Sequence, residues 1–247
     1  MTEEPRLQRN RQTVSLSFTS TLIQSCMRLD DPDDLVLDYT RAMMGALLFE
    51  PAPKAVLMVG LGGGSMLKYL HKHLPEADLT TVEISQAVID LRDDFHLPPD
   101  SARSRIVCAD GAEFVRHAPR HYDLILVDAF DGSGIPAPLC TPGFYRQVRQ
   151  ALTPAGMMVA NVQAETTQSR QIRQRIGKAF DSQRIAIESD EGGNDIVMAF
   201  NERTQADALL ADFPQRWAAL DAVHRATLGV SSSRIERALV HANRGMP

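Results

Sequence analysis

Cysteine is scarce in this chain of 247 residues, and a long hydrophobic run is missing. The three cysteines, Cys26, Cys108 and Cys140, share neither metal-ligand spacing nor redox spacing. The sequence therefore predicts neither a disulfide framework nor a metal site, and so few thiols are typical of a reducing cytoplasm. No apolar run approaches the roughly 18 residues of a membrane span, and the N-terminus lacks the apolar core of a signal peptide. We expect a cytoplasmic protein that has no membrane partner.

Basic residues are also fewer than acidic residues. The chain has 26 Lys and Arg residues against 31 Asp and Glu residues, which gives a formal net charge of −5. A nucleic-acid-binding domain usually shows a basic surface, so the sequence predicts no nucleic-acid partner. We interpret the arginine-rich stretch 168–178 as one solvated face of a helix and not as a phosphate site.

What the chain does have is a regular alternation of apolar strands and helices, which is typical of a parallel sheet covered on both faces. The predicted strands are 55–60, 78–84, 104–110, 122–128 and 156–162, and the predicted helices are 64–74, 85–95, 111–118, 142–152 and 167–179. Strands at 184–189 and 194–200 are spaced for an antiparallel pair at the far edge of this sheet. Helices at about 204–224 and 231–242 complete the pattern.

Upstream of this alternation, the stretch 13–29 predicts two short strands and the stretch 35–49 predicts a helix. We therefore expect an N-terminal β-hairpin and helix segment, residues 1–50, followed by a Rossmann-like nucleoside-binding catalytic domain, residues 51–247. The predicted fold class is α/β, with a mostly parallel, doubly wound sheet and an antiparallel far edge.

A glycine-rich loop follows the first strand of the predicted domain. In the stretch GLGGGSM, Gly60, Gly62 and Gly64 allow a tight turn and a close backbone approach to a ligand at a helix N-terminus. Glu83 ends the next strand, where a carboxylate can accept hydrogen bonds from both hydroxyls of a ribose. NAD is a rival ligand, because Gly60-x-Gly62-x-x-Ser65 nearly fits the dinucleotide fingerprint.

Two further acids follow later strands. Asp110 and Gly111 end the third strand, which we expect beside the first, and Asp128 ends the fourth. An acid at position 110 can accept a hydrogen from an adenine amino group. Each acid alone could be a helix N-cap or a turn residue. Three acids at successive strand ends predict an adenosine-sulfonium site of the S-adenosylmethionine type.

The chain from about 35 to 165 resembles the polyamine aminopropyltransferases, the spermidine synthase-like family. The resemblance rests on VLMVGLGGGSMLKYL, TTVEIS, CADGAEFV, YDLILVDAFDGSGIPAPL and FYRQVRQALTPAGMMVANVQAE. It implies a transferase of polyamine biosynthesis that moves an aminopropyl group from decarboxylated S-adenosylmethionine to a small-molecule amine, without a metal. A homodimer is the expected assembly.

The same resemblance implies roles for individual residues. Asp128 would be the catalytic carboxylate that handles the attacking amine. Asp131, Gln163 and Tyr39 would bind that amine, while Glu83 would hold the ribose and Asp110 the adenine. Gly60, Gly62, Gly64 and Gly111 would complete the binding site of the nucleoside.

Three features depart from the family pattern. Gly63 stands where the family has an aspartate that binds the donor's ammonium group, and the N-terminal β-domain is short. The stretch ESDEGGND, 188–195, stands where the family has an amine-binding loop. It is either an exposed turn or an acidic cluster that guides a polycation. An N-methyltransferase that uses intact S-adenosylmethionine and a non-catalytic nucleoside-binding homologue are the alternative functions.

Overall fold

The computed structural model describes residues 4–18, 23–118, 121–131, 134–164, 166–189, 193–202 and 206–243. Its main sheet contains β4 (Ala55–Val59), β5 (Asp78–Glu83), β6 (Ser104–Cys108), β7 (Tyr122–Val127), β8 (Leu152–Gln163), β9 (Arg184–Glu188) and β10 (Asn194–Phe200). The strand order is β6-β5-β4-β7-β8-β10-β9. The neighbours from β6 to β8 pair in parallel, whereas β10 is antiparallel to both β8 and β9. The predicted fold class and the antiparallel far edge are confirmed.

One predicted neighbour relation is wrong. The third strand of the domain, β6, pairs with β5 and not with the first strand, β4. The chain winds outward from β4 to β6 and then returns to place β7 on the other side of β4. The crevice between β4 and β7 is the point at which the strand order reverses, which is where open α/β sheets bind ligands.

A second, smaller sheet precedes the main one. It has three antiparallel strands, β1 (Arg6–Arg9), β2 (Thr13–Ser17) and β3 (Ser25–Arg28), where the sequence predicted two. All four residues of β1 are exposed, so this edge strand has no apolar alternation that could have revealed it. The proposed division at residue 50 stays a prediction.

The helices around the main sheet are α1 (Asp38–Met43), α2 (Ser65–His73), α3 (Gln86–Ile89), α4 (Gly111–His117), α5 (Pro142–Ala151), α6 (Thr167–Ala179), α7 (Ala206–Ala211), α8 (Phe213–Ala219) and α9 (Ala222–Asn243). Short 3-10 helices occupy Met44–Leu48 and Ala137–Cys140. No helix among these described residues is long and apolar enough to cross a membrane.

The predicted helix boundaries are wrong at three places. The helix expected at 35–49 begins only at Asp38, because Leu37 is extended, and it tightens into a 3-10 turn at Met44. The helix expected at 85–95 is helical only over Gln86–Ile89 and continues as turns. The two C-terminal helices are three among the described residues, since a turn at Asp212 separates α7 from α8 and the extended Leu220 separates α8 from the 22 residues of α9.

The core lies on both faces of the main sheet, as the alternation along β4 shows. Val56 and Met58 belong to one buried cluster, which includes residues of α2, α9 and the small sheet. Ala55, Leu57 and Val59 belong to a second cluster with residues of α4, α5 and α6. Because both faces are covered, the strand ends are the part of this sheet that can meet a ligand.

Candidate active site

A cavity of about 410 Å³ opens at the carboxyl ends of β4, β5 and β7. Eight of the ten residues predicted for the site line it, namely Tyr39, Gly60, Gly62, Glu83, Asp110, Gly111, Asp128 and Asp131. Gly64 and Gln163 do not line the cavity. Gly64 precedes α2 in a left-handed conformation, and Gln163 is exposed at the end of β8.

The glycine loop passes very close to the fourth strand of the domain. A Cβ atom on Gly60 would lie 2.1 Å from the carbonyl oxygen of Asp128, and the φ angle of Gly60 is +97°. The amide of Gly60 also donates to the Val82 carbonyl at 2.9 Å. Only glycine fits this position, and its backbone packs directly against the backbone at the end of β7.

Glu83 joins the end of β5 to the same loop. Its Oε2 accepts a hydrogen bond from the Leu61 amide at 3.0 Å, and its Oε1 accepts one from the Ser85 amide at 2.9 Å. These contacts fix the carboxylate in place, and each carboxylate oxygen has a second lone-pair direction. The geometry is that of a fixed double acceptor for a diol.

Asp110 has a local structural role as well as a place in the cavity wall. Its Oδ1 caps α4 by accepting hydrogen bonds from the Ala112 amide at 2.7 Å and the Glu113 amide at 3.1 Å. The N-cap that sequence reasoning considered for this residue is therefore present. The capping contacts orient the side chain at the cavity wall, where its carboxylate can accept a further hydrogen bond.

Asp128 is the carboxylate with the most perturbed ionisation in the cavity. Burial raises its pKa from 3.8 to about 6, although hydrogen bonds from Asn161 and Tyr39 act in the opposite direction. The Asn161 amide donates to Oδ1 of Asp128 at 2.9 Å. A carboxylate with a pKa near neutrality suits proton transfer at physiological pH.

Asn161 is a site residue that sequence reasoning missed. It is only 4% exposed, and its own Oδ1 has no hydrogen-bond partner among the described residues. Val127 pairs with Ala160, so the next residue on each strand, Asp128 and Asn161, meet beyond the end of the ladder. The available signal was a polar side chain inside the apolar run of β8, beside the strand that ends in Asp128.

Tyr39 reaches the same carboxylate from outside the main sheet. Its hydroxyl donates a hydrogen bond to the Gln24 carbonyl oxygen at 3.2 Å, and it also has a hydrogen-bonding interaction with the Asp128 carboxylate. Burial, and then the adjacent negative charge of Asp128, raise the pKa of Tyr39 well above 10. The phenol therefore stays protonated and acts as a donor.

The loop after Asp128 brings a second acid to the cavity mouth. The amide of Asp131 donates to the Gly134 carbonyl at 2.8 Å, and the amide of Gly134 donates back to the Asp131 carbonyl at 3.2 Å. These two hydrogen bonds hold the backbone of Asp131 at the cavity wall. Gln163 is near Gly134, because its Oε1 would lie 3.6 Å from a Cβ atom on that glycine.

The cavity wall carries charge of one sign. Four of its residues are acidic, namely Glu83, Asp110, Asp128 and Asp131, and none of the described residues that line it is Lys, Arg or His. The site therefore favours a ligand with positive charge and opposes one with a carboxylate. No group of three or more His, Cys, Asp or Glu side chains that could hold a metal occurs in the described parts of the chain.

Gly63 lies behind the cavity wall, in a crowded place. A Cβ atom there would be 2.6 Å from Ser25 Oγ and 2.7 Å from the ring of Phe95. No side chain fits without a shift of these neighbours. The surroundings of Gly63 leave no room for a carboxylate side chain, since Ser25 of the small sheet and Phe95 occupy the space.

The acidic segment 188–195 does not form one exposed cluster. Asp195 is in β10, is only 3% exposed and forms an ion pair with Arg173 of α6. Glu188 is exposed at the end of β9, and Gly193 has the positive φ, +81°, that a turn requires. Asp190 and Glu191 lie outside the described residues, so guidance of a polycation by these two acids stays a prediction.

Replacement of Asn161 with leucine should raise the pKa of Asp128 above 6. Leucine has the same branched arrangement of side-chain heavy atoms, although it is larger, and it cannot donate the hydrogen bond that stabilises the ionised carboxylate. The measurement is a ¹³C NMR titration of the Asp128 carboxyl group. An exposed amide on α6, Gln171, provides the matched control when it is replaced with leucine. An unchanged titration in Asn161→Leu would contradict this assignment.

Comparison with known proteins extends these observations. Residues 37–187 match the family model described as the spermine/spermidine synthase domain. The chain is 41% identical over 199 residues to the polyamine aminopropyltransferase of Chromobacterium violaceum, which covers 79% of this chain and 76% of that relative.

Two solved structures share the fold. The structure of a probable spermidine synthase from Corynebacterium glutamicum has a TM-score of 0.70 at 19% identity, over 93% of this chain and 91% of that one. A spermidine synthase in complex with the transition state analogue AdoDATO has a TM-score of 0.64 at 19% identity, over 97% of this chain and 89% of that one.

Proposed function

The chain belongs to the spermine/spermidine synthase family, and from that premise we propose how it acts as a spermidine synthase-like aminopropyltransferase. The amine nitrogen attacks the propyl carbon next to the sulfonium of decarboxylated S-adenosylmethionine. A nitrogen–carbon bond forms while the carbon–sulfur bond breaks, and its electron pair stays on sulfur. The products are a polyamine and methylthioadenosine, and the proton of the attacking amine passes to Asp128.

The observation that carries this proposal is the state of Asp128. Its carboxylate faces the cavity, has a pKa of about 6 and receives hydrogen bonds from Asn161 and Tyr39. At pH 7 it is mostly ionised, yet it is basic enough to accept a proton as the new bond forms. Asp131 lies at the mouth of the same cavity and supports the approach of a cationic amine.

The nucleoside half of the donor fits the opposite wall. Glu83 is held as a fixed acceptor for the two ribose hydroxyls, and Gly60 and Gly62 allow the backbone to approach the sugar. In this proposal Asp110 accepts a hydrogen bond from the adenine amino group. Methylthioadenosine carries all of these recognition groups.

The acidic wall supports the decarboxylated donor over intact S-adenosylmethionine. The two donors differ by one carboxylate, and the four acids of the described wall oppose an added negative charge. The same wall opposes an N-methyltransferase, whose donor carries that carboxylate. Because no side chain fits at Gly63, that position cannot provide a carboxylate for the donor's ammonium group. We infer that other groups of the cavity wall bind the ammonium group.

The cost of deprotonating the amine is the main energetic obstacle. A free alkylamine has a pKa of about 10.4, so its deprotonation at pH 7 costs roughly 4–5 kcal/mol. A sulfonium about 5 Å away opposes the ammonium form by roughly 3 kcal/mol at an effective dielectric of 20. The remaining work is alignment of nitrogen, carbon and sulfur, which is an effect of positioning.

The experiment that tests the proposal is incubation of the protein with each donor and a panel of di- and polyamines, followed by mass analysis. Methylthioadenosine together with an amine heavier by one aminopropyl group is the expected product pair. S-adenosylhomocysteine with a methylated amine would replace the proposal with a methyltransferase. Binding of the nucleoside without any product would replace it with the non-catalytic alternative.

Methylthioadenosine should bind in the micromolar range, and Glu83→Ala should weaken this binding by about 1–3 kcal/mol. The reason is that the ribose hydroxyls give up water on binding and then lack their acceptor in the cavity. Isothermal titration calorimetry is the measurement, with the exposed Glu76→Ala as the control variant. Equal affinity of the parent for NAD, or no effect of Glu83→Ala, would contradict the assignment.

The cytoplasmic location and the homodimer stay predictions from the sequence. The acceptor is a small-molecule amine, and the sequence does not specify which one. The amine panel therefore tests the reaction and its acceptor range together.

A further inference from the structure

The long C-terminal helix α9 does not line the cavity, but one of its side chains contacts the residue that precedes Tyr39, a residue of the cavity wall. Arg234 is 9% exposed and forms a two-pronged ion pair with Asp38. Its Nη1 lies 3.0 Å from Oδ2 of Asp38, and its Nη2 lies 3.1 Å from Oδ1. The two residues are 196 positions apart in the sequence, so this contact exists only in the folded chain.

Asp38 is the residue directly before Tyr39 and the first residue of α1. The preceding residue, Leu37, provides no side-chain cap for this helix. Asp38 itself is only 3% exposed, and Arg41 lies one turn further along, 3.9 Å from its carboxylate. The backbone that carries Tyr39 is therefore anchored through the carboxylate of Asp38.

The same guanidinium reaches two other groups. Nη1 of Arg234 donates to the carbonyl oxygen of Glu188 at 2.7 Å, at the end of β9. Nη2 donates to Ser231 Oγ at 3.1 Å, which holds the side chain against its own helix. Arg234 thus connects α9, the far edge of the main sheet and the start of α1.

A buried ion pair is an expensive way to stabilise a fold, because both charges lose water. The planar fork of arginine does, however, fix the direction of a carboxylate in a way that an apolar contact cannot. This rigidity is useful where the next residue must hold a hydroxyl at a fixed distance from a reacting group. Tyr39 is such a residue, since it lines the same cavity as Asp128 and its hydroxyl interacts with that carboxylate.

We propose that Arg234 is a positioning residue, which acts through Asp38 to hold the Tyr39 hydroxyl against Asp128. This role rests on the proposed function, in which Asp128 accepts the proton of the amine. Loss of Arg234 leaves the nucleoside wall intact and lets α1 shift relative to β7. The chemical step then suffers while binding of the donor does not.

The test compares six variants with the parent, two of which carry Tyr39→Phe, alone and combined with Arg234→Met. Arg234→Met removes the ion pair, and Arg234→Lys keeps the charge without the fork. Asp38→Leu combined with Arg234→Met replaces the pair with apolar groups, which avoids an unpaired buried charge and preserves folding. The control is Arg237→Met, an exposed arginine of the same helix. Circular dichroism and thermal unfolding establish that each variant is folded.

We expect Arg234→Met and the apolar pair to lower kcat by about tenfold to a hundredfold, with the KM for the donor unchanged. Arg234→Lys should recover part of that loss, and Arg237→Met should behave like the parent. Since the Tyr39 hydrogen bond lowers the pKa of Asp128, its loss should move the acid limb of the pH–rate profile upward, as in Tyr39→Phe. In a Tyr39→Phe background, Arg234→Met should cause little further loss of kcat.

Two results would overturn the proposal. One is a folded Arg234→Met or apolar-pair variant with the parent's kcat, and the other is a full, additive loss in the Tyr39→Phe background. A parent that transfers no aminopropyl group would instead refute the proposed function. In that case the ¹³C titration of Asp128 decides the role of Arg234. A titration that moves as in Tyr39→Phe supports positioning, and one that does not move excludes it.

Discussion

Replacing Asp128 with asparagine is expected to reduce turnover by at least about 100-fold. Asparagine keeps the shape of the side chain, and its amide oxygen can still accept the hydrogen bond from Asn161. It lacks the negative charge, however, and its oxygen is too weakly basic to take up the proton of the amine. General-base losses are commonly of this size. The measurement is the initial rate of methylthioadenosine release at saturating donor and amine.

The control for this variant is Asp123→Asn, which makes the same change at the opposite end of β7. Asp123 accepts hydrogen bonds from the Lys54 and Ala55 amides, far from the cavity, so its variant should turn over normally if folded. Calorimetric binding of methylthioadenosine should be nearly unchanged in Asp128→Asn. Turnover like that of the parent would show that Asp128 is not the proton acceptor.

The pH dependence of stability separates loss of chemistry from loss of fold. The pKa of Asp128 is raised by burial from 3.8 to about 6, so the folded protein binds more protons than the unfolded chain between these values. Ionisation of Asp128 therefore destabilises the parent as pH rises through this window. Asp128→Asn has no such ionisation and should be at least as stable as the parent at pH 7. Parent turnover should rise over the same window, with a midpoint near pH 6.

Most of the main sheet could be predicted because its strands are buried on both faces. Residues 55–59 and 124–127 are continuous apolar runs, and the helices between strands have the length that a crossover needs. The order of the strands in the sheet was harder to predict from the sequence. Nothing in residues 104–108 indicates whether they pair with β4 or β5, so the neighbour of β6 was predicted wrongly.

The site could be predicted as far as it depends on residues that follow strands directly. Glu83, Asp110 and Asp128 stand at strand ends, where a sequence pattern is informative, and all three line the cavity. Asn161 was missed because its role depends on the lateral pairing of β7 with β8. Arg234 was missed for the same kind of reason, since its partner Asp38 is distant in sequence and the contact depends on how α9 packs.

Gly60→Ala should have the most damaging effect of any single methyl addition in the loop. The new Cβ would lie 2.1 Å from the carbonyl oxygen and 2.7 Å from the carbonyl carbon of Asp128, so backbone atoms at the end of β7 would have to move. The left-handed φ of +97° adds strain of its own. We expect a loss of about 3 kcal/mol or more in the free energy of unfolding. Turnover should fall by at least about 100-fold, because the displaced Asp128 no longer aligns with the amine.

Gly193→Ala provides the control that separates backbone strain from displacement of the site. Gly193 also has a left-handed φ, +81°, but a Cβ atom there would meet nothing within 4 Å. The two variants therefore share the conformational strain, and only Gly60→Ala pushes on Asp128. Chemical denaturation, methylthioadenosine binding and turnover are measured for both. If Gly193→Ala lost as much turnover as Gly60→Ala, strain alone would explain the result. If Gly60→Ala were folded and fully active, the close approach of the glycine loop to Asp128 would not be required for catalysis.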